Sequence, residues 1–194
     1  MEEVRAFIAI ELPTEIKLSL RELENRFKSR NYRAKWVAPE SIHLTLKFLG
    51  GISVDSISDV THVIEKAAAG TPYFRLAVSG LGVFPNLQRV QIVWAGVTGA
   101  LDKLAQLQKR IDAGLESLGF IPESRPFTAH LTIARIRDGA SPGERQSIGQ
   151  LVAKTDFEGG EFTVESVSLM KSQLMREGPI YSRLTSIALS AGLS

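Results

Sequence analysis

The sequence predicts an α+β fold made of two copies of one unit, and two observations support this prediction. A strand, an amphipathic helix, a loop and a strand that opens with His-Leu-Thr follow one another in the first half, and the same order recurs in the second half. The triplets begin at His43 and His130, which are 87 residues apart, and Phe7 and Trp94 in the opening strands have the same separation. Equal offsets favour a duplication over an accidental triplet.

The first copy is predicted as a strand, a helix, a loop, a strand and a second helix. Residues 4–12 are rich in apolar and β-branched types, which is typical of a strand. Thr14 is the expected N-cap of the first helix, and the polar segment 28–41 is expected to be a loop before the strand of His43. The helical pattern rests on apolar residues spaced by three or four positions, namely Ile16, Leu20, Leu23 and Phe27, then Ile57, Val60, Ile64 and Ala67.

A glycine-interrupted strand at 73–85 precedes the second copy, which opens with a strand at 89–97. The next helix has a regular apolar face, and Gly119 follows it in the position of a C-terminal cap. This face consists of Leu101, Leu104, Leu107, Ile111, Leu115 and Leu118.

The chain after the second triplet is predicted to form one more helix and a closing pair of strands. Ser141 and Glu144 have the spacing of a capping box, which predicts a helix from there to about residue 154. The closing strands are expected at 161–174 and 180–189, joined through Glu177-Gly178-Pro179.

Each triplet places its histidine and its threonine on one face of a strand. Side chains two residues apart point to the same side, so His43 shares a face with Thr45, and His130 shares a face with Thr132. The apolar residues between them face the opposite side, which must be the one packed on helices. The two His/Thr faces are left open, and a pseudo-twofold relation between the copies would bring them together across a cleft.

Two imidazoles and two hydroxyls suit an in-line displacement at phosphorus. Because the unperturbed imidazole pKa lies near 6.5, one ring can be neutral and activate water while the other is protonated and donates to a leaving oxygen. The hydroxyls of Thr45 and Thr132 would donate hydrogen bonds to the non-bridging oxygens, where negative charge resides in the transition state. The predicted catalytic residues are therefore His43, His130, Thr45 and Thr132.

Two other interpretations compete with a catalytic one. A histidine in a strand is often structural, but two matching triplets among three histidines are hard to reach by chance. A zinc site needs close ligand spacings such as His-x-x-x-His, which are absent around both triplets, and the chain has no cysteine. We therefore expect no metal and no cofactor, and we assign no role to His62.

These segments resemble a known family. "HLTLKFLG" and "HLTIAR", with "VRAFIAIELP" before them, are similar to the two-histidine (2H) phosphoesterase superfamily, and within it to the RNA 2′,3′-cyclic phosphodiesterases, first named 2′-5′ RNA ligases. "KWVAPESIHLTLKFLG", "GLGVFPNLQRVQIVWAGV" and "SLMKSQLMREGPIYSRL" are similar to further family segments, so the resemblance covers nearly the whole chain.

The resemblance implies a bilobal, pseudo-twofold fold in which antiparallel sheets flank a central cleft and helices lie on the outside. Residues 1–194 would form one catalytic domain, with pseudo-repeats at about 1–70 and 89–155 and the remaining strands completing the sheets. The implied activity is metal-independent hydrolysis of an RNA or nucleoside 2′,3′-cyclic phosphate to a 2′-phosphate end. The family pattern makes His130 the general base for water and His43 the general acid for the departing 3′ oxygen.

The resemblance also points to Phe48 and Arg135, each five residues after its histidine, as substrate-binding contacts to the terminal nucleotide. An aromatic ring and a guanidinium plane can sandwich a base. In a regular strand, however, an odd offset turns a side chain to the core face. These roles therefore require the strand to end or bulge before them, and otherwise Phe48 belongs to the core.

The expected partner is RNA or an oligonucleotide with a 2′,3′-cyclic phosphate end, tRNA halves being one form. Two alternatives stay open: 2′-5′ RNA ligation, which uses the same residues in reverse, and a non-catalytic module that binds RNA ends. The basic and aromatic segment 26–36 could track an RNA backbone and stack bases, or it could be a solvated helix end.

The bulk properties bound the class of protein. No apolar run approaches the roughly 20 residues that span a bilayer, and the acidic N-terminal residues are unlike the basic start of a signal peptide. The lack of cysteine fits a reducing cytosol, so a cytoplasmic location with no membrane partner is expected. A net charge of +2 permits a polyanionic partner without requiring one. We expect a monomer, because one chain supplies both sides of the cleft.

Overall fold

The computed structural model describes residues 2–176 and 178–191, which contain nine strands and four α-helices. In chain order the elements are β1 (Glu3–Glu11), α1 (Thr14–Lys28), β2 (Ala34–Trp36), β3 (His43–Ser53), α2 (Ile57–Ala68), β4 (Phe74–Phe84), β5 (Ile92–Gly99), α3 (Leu101–Glu116), β6 (His130–Ile136), α4 (Pro142–Ala153), β7 (Glu158–Val164), β8 (Ser166–Met175) and β9 (Gly178–Ala188).

The strands form two antiparallel sheets, and each sheet contains one of the histidine strands. The first sheet has the order β3-β1-β8-β9 and the second has the order β2-β6-β5-β4-β7. In the first sheet β1 lies between its histidine strand β3 and β8, which comes from the second half of the chain. In the second sheet β5 lies between its histidine strand β6 and β4, which comes from the first half. This exchange ties the two halves together and confirms the α+β class with antiparallel sheets.

The helices each bury one face at apolar positions that the sequence spacing predicts, but the predicted face of α3 extends too far: Leu101 is exposed, and Leu118 is exposed and lies past the end of the helix. In α1 the buried apolar positions are Ile16, Leu20, Leu23 and Phe27, all 2% exposed or less. The N-terminus of α4 is capped by Ser141, whose hydroxyl oxygen accepts a hydrogen bond from the Glu144 backbone N–H at 3.1 Å. The Glu144 carboxylate does not complete the expected box, since it accepts instead from the Arg33 backbone N–H. None of the helices in the described ranges is long and apolar enough to span a membrane.

The predicted N-cap of α1 is wrong: Thr14 is the first residue of the helix, Pro13 occupies the N-cap, and no side chain there accepts a capping hydrogen bond.

Two further element predictions are wrong. The segment 28–41 is not all loop: residues 34–36 form β2, which pairs with β6 and adds a strand from the first half to the second sheet. The expected single strand at 161–174 is two strands, because the chain leaves the second sheet at the end of β7 and enters the first sheet as β8. Residue 177 of the predicted Glu177-Gly178-Pro179 connection lies outside the described residues.

Both histidine strands carry a bulge at the same place. Along β1 the partners run from Lys47 directly to Thr45, which leaves Leu46 without a counterpart. Along β5 they run from Ala134 directly to Thr132, which leaves Ile133 without one. The skipped residue is the third after the histidine in each strand, so the bulge is repeated in both copies.

The strand register corrects one detail of the predicted repeat. Glu11 lies opposite His43, and Gly96 lies opposite His130. The sequence separation between equivalent residues of the two opening strands is therefore two less than the separation of 87 between the two histidines. Phe7 corresponds to Ile92 rather than to Trp94, because Phe7 lies opposite Phe48 and Ile92 lies opposite Arg135. A shift of two keeps the side chains on the same face, so the repeat pattern looks unchanged in the sequence.

Candidate active site

Each of the two imidazoles is held by the backbone two residues before it. The Nδ1 of His43 lies 2.8 Å from the carbonyl oxygen of Ser41, and the Nδ1 of His130 lies 2.8 Å from that of Thr128. A carbonyl oxygen only accepts, so each Nδ1 carries a hydrogen and donates it. This bond fixes the tautomer and leaves the Nε2 of each ring for proton transfer.

Aromatic rings hold both imidazoles from the side. Phe7 and Tyr181 meet the ring of His43 edge to face, with centroids 5.7 and 5.4 Å away. Phe84 and Trp94 surround the other histidine. Their centroids lie 5.3 and 6.3 Å from that of His130. Packing on one side and a backbone bond on the other leave each imidazole little rotational freedom, which is the preorganisation that proton transfer requires.

The two threonines occupy matching places in the register. Thr45 lies opposite Ala9, and Thr132 lies opposite Trp94. Both threonines are half-buried, as are both histidines, whereas Leu44 and Leu131 are at most 1% exposed. The alternation gives each strand one face in the core and one face with the His/Thr pair.

The bulges explain why Phe48 and Arg135 are exposed although each lies an odd number of residues after its histidine. Past Leu46 the alternation is reset, so Phe48 is 73% exposed and lies 6.1 Å from Phe7, centroid to centroid, on the face that carries His43. The interpretation of Phe48 as a core residue is therefore wrong. Arg135 is exposed in the same way, past the bulge at Ile133.

The two histidine strands belong to different sheets but contact each other. The backbone N–H of Val37, just after β2, donates to the Ile133 carbonyl at 3.0 Å, which ties the segment leading into β3 to the bulge of β6. The strands that carry the two His/Thr faces are thus neighbours in the fold. An imidazole whose Nδ1 is held by a backbone carbonyl can accept or donate a proton through Nε2.

The electrostatic surroundings of the two histidines differ. Burial lowers the pKa of His43, while the hydrogen bond to the Ser41 carbonyl and the charge of Glu11 act in the opposite direction. Glu11 accepts hydrogen bonds from Arg183 and Ser168. Although burial alone would raise the pKa of Glu11, these bonds and the Arg183 charge lower it, so the carboxylate is ionised at neutral pH. Within residues 2–176 and 178–191, no group of three His, Asp or Glu side chains is arranged to hold a metal ion.

The aromatic residues of segment 26–36 have structural contacts. Phe27 is 2% exposed and packs edge to face on Trp36, at 6.1 Å between centroids. Lys28 lies over the Trp36 ring, and the Tyr32 hydroxyl is 3.1 Å from that of Ser147. Phe27 and Trp36 are therefore not free to stack on bases, and the exposed basic residues lie in the last turn of α1 and in the segment after it.

Sequence reasoning missed four side chains that shape this site: Tyr181, Phe84, Glu11 and Arg183. Tyr181 and Arg183 follow the last turn of the chain and reach the site only because β9 pairs with β8. Phe84 closes a strand that pairs with β5. Glu11 had a local signal, because it is an acidic residue at the end of an apolar strand and on the face of Phe7.

Comparison with known proteins agrees with the predicted resemblance. The family model described as the 2′-5′ RNA ligase superfamily matches residues 12–174. The RNA 2′,3′-cyclic phosphodiesterase of Methanothermobacter thermautotrophicus is 32% identical over 93% of this chain and 96% of its own, and that of Aquifex aeolicus is 33% identical over 94% and 95%. The crystal structure of TT0787 of Thermus thermophilus is 30% identical, covers 96% of this chain and 98% of its own, and superposes with a TM-score of 0.78.

Proposed function

Because the chain belongs to the 2′-5′ RNA ligase superfamily, we propose that it hydrolyses RNA or nucleoside 2′,3′-cyclic phosphates to 2′-phosphate ends. One observation carries this proposal: both imidazoles make the same Nδ1 hydrogen bond to a backbone carbonyl, and each is followed two residues later by a threonine. The relatives with this activity in their names match nearly the full length of the chain.

In the proposed reaction, Nε2 of neutral His130 accepts a proton from water as the water oxygen forms a bond to phosphorus. The bond between phosphorus and the 3′ oxygen breaks, and Nε2 of protonated His43 donates a proton to that oxygen. One proton is taken up and one is given, so the pair returns to its starting state by exchange with solvent. The product keeps its phosphate on the 2′ oxygen.

Thr45 and Thr132 donate hydrogen bonds to the two non-bridging oxygens in this proposal. Their hydroxyls lie on the same strand faces as the imidazoles, so they can contact the phosphate while it reacts. Phe48 and Arg135 bind the terminal nucleotide, since both are exposed beyond the bulges on the side of the histidines. A ring on one flank and a guanidinium on the other suit the two faces of a base.

We further propose that the reaction needs no metal and that one chain suffices. Both proton transfers are supplied by imidazoles, and threonine hydroxyls receive the phosphate charge, so every catalytic role has a protein group. All of these groups come from one chain folded as a single bilobal domain, with pseudo-repeats at about 1–70 and 89–155. The protein would then act as a monomer.

The name of the matched superfamily favours a second candidate, 2′-5′ ligation of RNA ends. Ligation is the reverse reaction, in which the 5′ hydroxyl of one RNA attacks the cyclic phosphate of another. Water at about 55 M outcompetes a free RNA end unless the two ends are held together, so hydrolysis should dominate with short oligonucleotides.

The test is incubation of the full chain with an oligonucleotide ending in a 2′,3′-cyclic phosphate, in buffer containing EDTA. Phosphorus NMR of the product should show a 2′-phosphate monoester. A 3′-phosphate product, or turnover only with added divalent metal, would contradict the proposal. Binding without turnover would identify the non-catalytic module instead. Two tRNA halves, supplied together, would reveal ligation as a joined product with a 2′-5′ linkage.

A further inference from the structure

We propose that Glu11 is a positioning residue that favours the protonated, acid form of His43, and that it makes the two histidines chemically unequal. This inference rests on the proposed function, in which His43 is the acid. Glu11 is the cross-strand partner of His43 between β1 and β3. Directly opposed residues in an antiparallel pair extend their side chains to the same face, with Cβ atoms about 5 Å apart.

Glu11 is held in place by hydrogen bonds from β8 and β9, the two strands that lie on the side of β1 away from β3. Its Oε2 accepts from the hydroxyl of Ser168 on β8 at 2.7 Å and from Nε of Arg183 on β9 at 2.8 Å. Ser168 is 1% exposed, and the Glu11 side chain is 26% exposed, so this carboxylate is fixed at the inner edge of the site. A carboxylate that accepts two bonds on one oxygen keeps its charge in a defined position.

Several groups bear on the charge of His43. Burial disfavours the imidazolium most strongly, and Lys17 on α1 also acts against it. The Ser41 carbonyl and Glu11 favour it, and Glu11 supplies the negative charge among these groups. Tyr181 packs edge to face against the ring and brings no charge. Arg183 is bonded to Glu11, and its positive charge partly compensates the negative charge of that carboxylate. Glu11 therefore offsets part of the cost of protonating a buried acid.

The second half of the protein cannot make this arrangement. The residue opposite His130 is Gly96, and a Cβ built there would lie 2.4 Å from the backbone carbonyl oxygen of Ser79. That oxygen belongs to the backbone, so it cannot rotate away as a side chain would. No side chain fits at the position that corresponds to Glu11. The asymmetry matches the proposed roles, because the acid has a carboxylate opposite it and the base has none at that position.

The experiment is an NMR titration of the histidine side chains in the full-length Glu11→Gln variant. The chain has only three histidines, so signals can be assigned by His62→Ala and His130→Ala variants. Glutamine keeps an oxygen for Ser168 and Arg183 but removes the charge. The pKa of His43 should fall relative to the parent protein. At neutral pH, kcat/KM for a 2′,3′-cyclic phosphate should fall about three- to tenfold, as the acid becomes less protonated.

Glu3→Gln, at the exposed start of the same strand, is the matched control. It should change neither the pKa of His43 nor kcat/KM.

The outcomes separate this inference from the proposed function. If His43 titrates unchanged in Glu11→Gln while the parent protein hydrolyses the cyclic phosphate, the inference is overturned and the function stands. If His43 shifts as expected but the parent shows no turnover, the electrostatic assignment holds and the proposed function fails. If Glu11→Gln does not fold, Arg183→Gln carries the test. Loss of the compensating guanidinium should raise the pKa of His43, and a fall or no change would overturn the inference.

Discussion

The two halves of the protein share the geometry around their histidines and differ in what lies next to it. Both histidine strands carry the same bulge, and both imidazoles donate from Nδ1 to a carbonyl two residues earlier at 2.8 Å. The shared features are made by the backbone, which a duplicated fold preserves without requiring particular side chains. Position and tautomer of the two rings are therefore common to the halves.

The differences lie in side chains around that backbone. Phe48 in the first half corresponds to Arg135 in the second, and Glu11 corresponds to Gly96. These changes alter the charge and the exposed side chains beside the imidazoles, while the backbone hydrogen bond of each imidazole stays the same. In the proposed mechanism, this difference lets one histidine act as the acid and the other as the base on the same backbone arrangement.

The largest expected effect comes from removing either imidazole. His43→Ala and His130→Ala should each lower kcat/KM on a 2′,3′-cyclic phosphate by about 10² to 10⁴-fold, because each removes one of two proton transfers. Steady-state kinetics at several pH values would measure this. His62→Ala is the control, since His62 is exposed on α2 beside Glu65. If one half alone sufficed, one of the two site variants would keep parental activity.

The threonines test whether both halves hold the phosphate. Thr45→Val and Thr132→Val keep the shape of the side chain and remove its hydroxyl, so each should lower kcat on the order of 10²-fold. Circular dichroism would verify that both variants fold. Thr163→Val, on the exposed face of edge strand β7, should leave the rate unchanged. A loss confined to one threonine would mean that only one half contacts the charged oxygens.

The side chains beyond the bulges should affect binding more than chemistry. Phe48→Ala and Arg135→Ala should each raise KM for an oligonucleotide about tenfold, because stacking on one base contributes about 1–3 kcal/mol. The value of kcat should change little. Exposed residues elsewhere provide matched controls: Leu174→Ala for the lost apolar surface and Arg75→Ala for the lost cation. A fall in kcat at constant KM would instead assign these residues to the reacting centre.

Local patterns were sufficient to predict the class of fold and the paired His/Thr faces. The alternation of core and open residues in β3 and β6 is a property of each strand by itself, so the sequence carries it. The helices followed from their apolar spacing for the same reason. These are the parts of the structure in which neighbours along the chain decide the outcome.

What the sequence could not reveal depends on pairing between distant segments. The exposure of Phe48 follows from a bulge that exists only in the register between β1 and β3. Glu11 meets Arg183 only because β8 joins the first sheet after the chain has completed the second. The offset of Trp94 from Phe7 suggested an equivalence that the register corrects by two residues, which keeps the faces and is therefore invisible to a pattern of alternation.

The smallest effect concerns the dependence of stability on pH, and it is specific to the first half. Burial lowers the pKa of His43 below its ordinary value of 6.5 in the folded chain. A base with a lower pKa in the folded state binds more protons when unfolded, so acid favours unfolding. Well above pH 6.5 this imidazole is neutral in the folded and the unfolded chain, so it does not change the free energy of unfolding. As the pH falls through 6.5, the unfolded chain takes up the proton more readily, so the folded state is increasingly destabilised. The His43→Gln variant should therefore lose less thermal stability than the parent between neutral and mildly acidic pH, by about 1–3 °C in Tm. His62→Gln, at an exposed helix position, should lose as much as the parent, and an equal loss in all three proteins would show that His43 is not resisting protonation in the folded state.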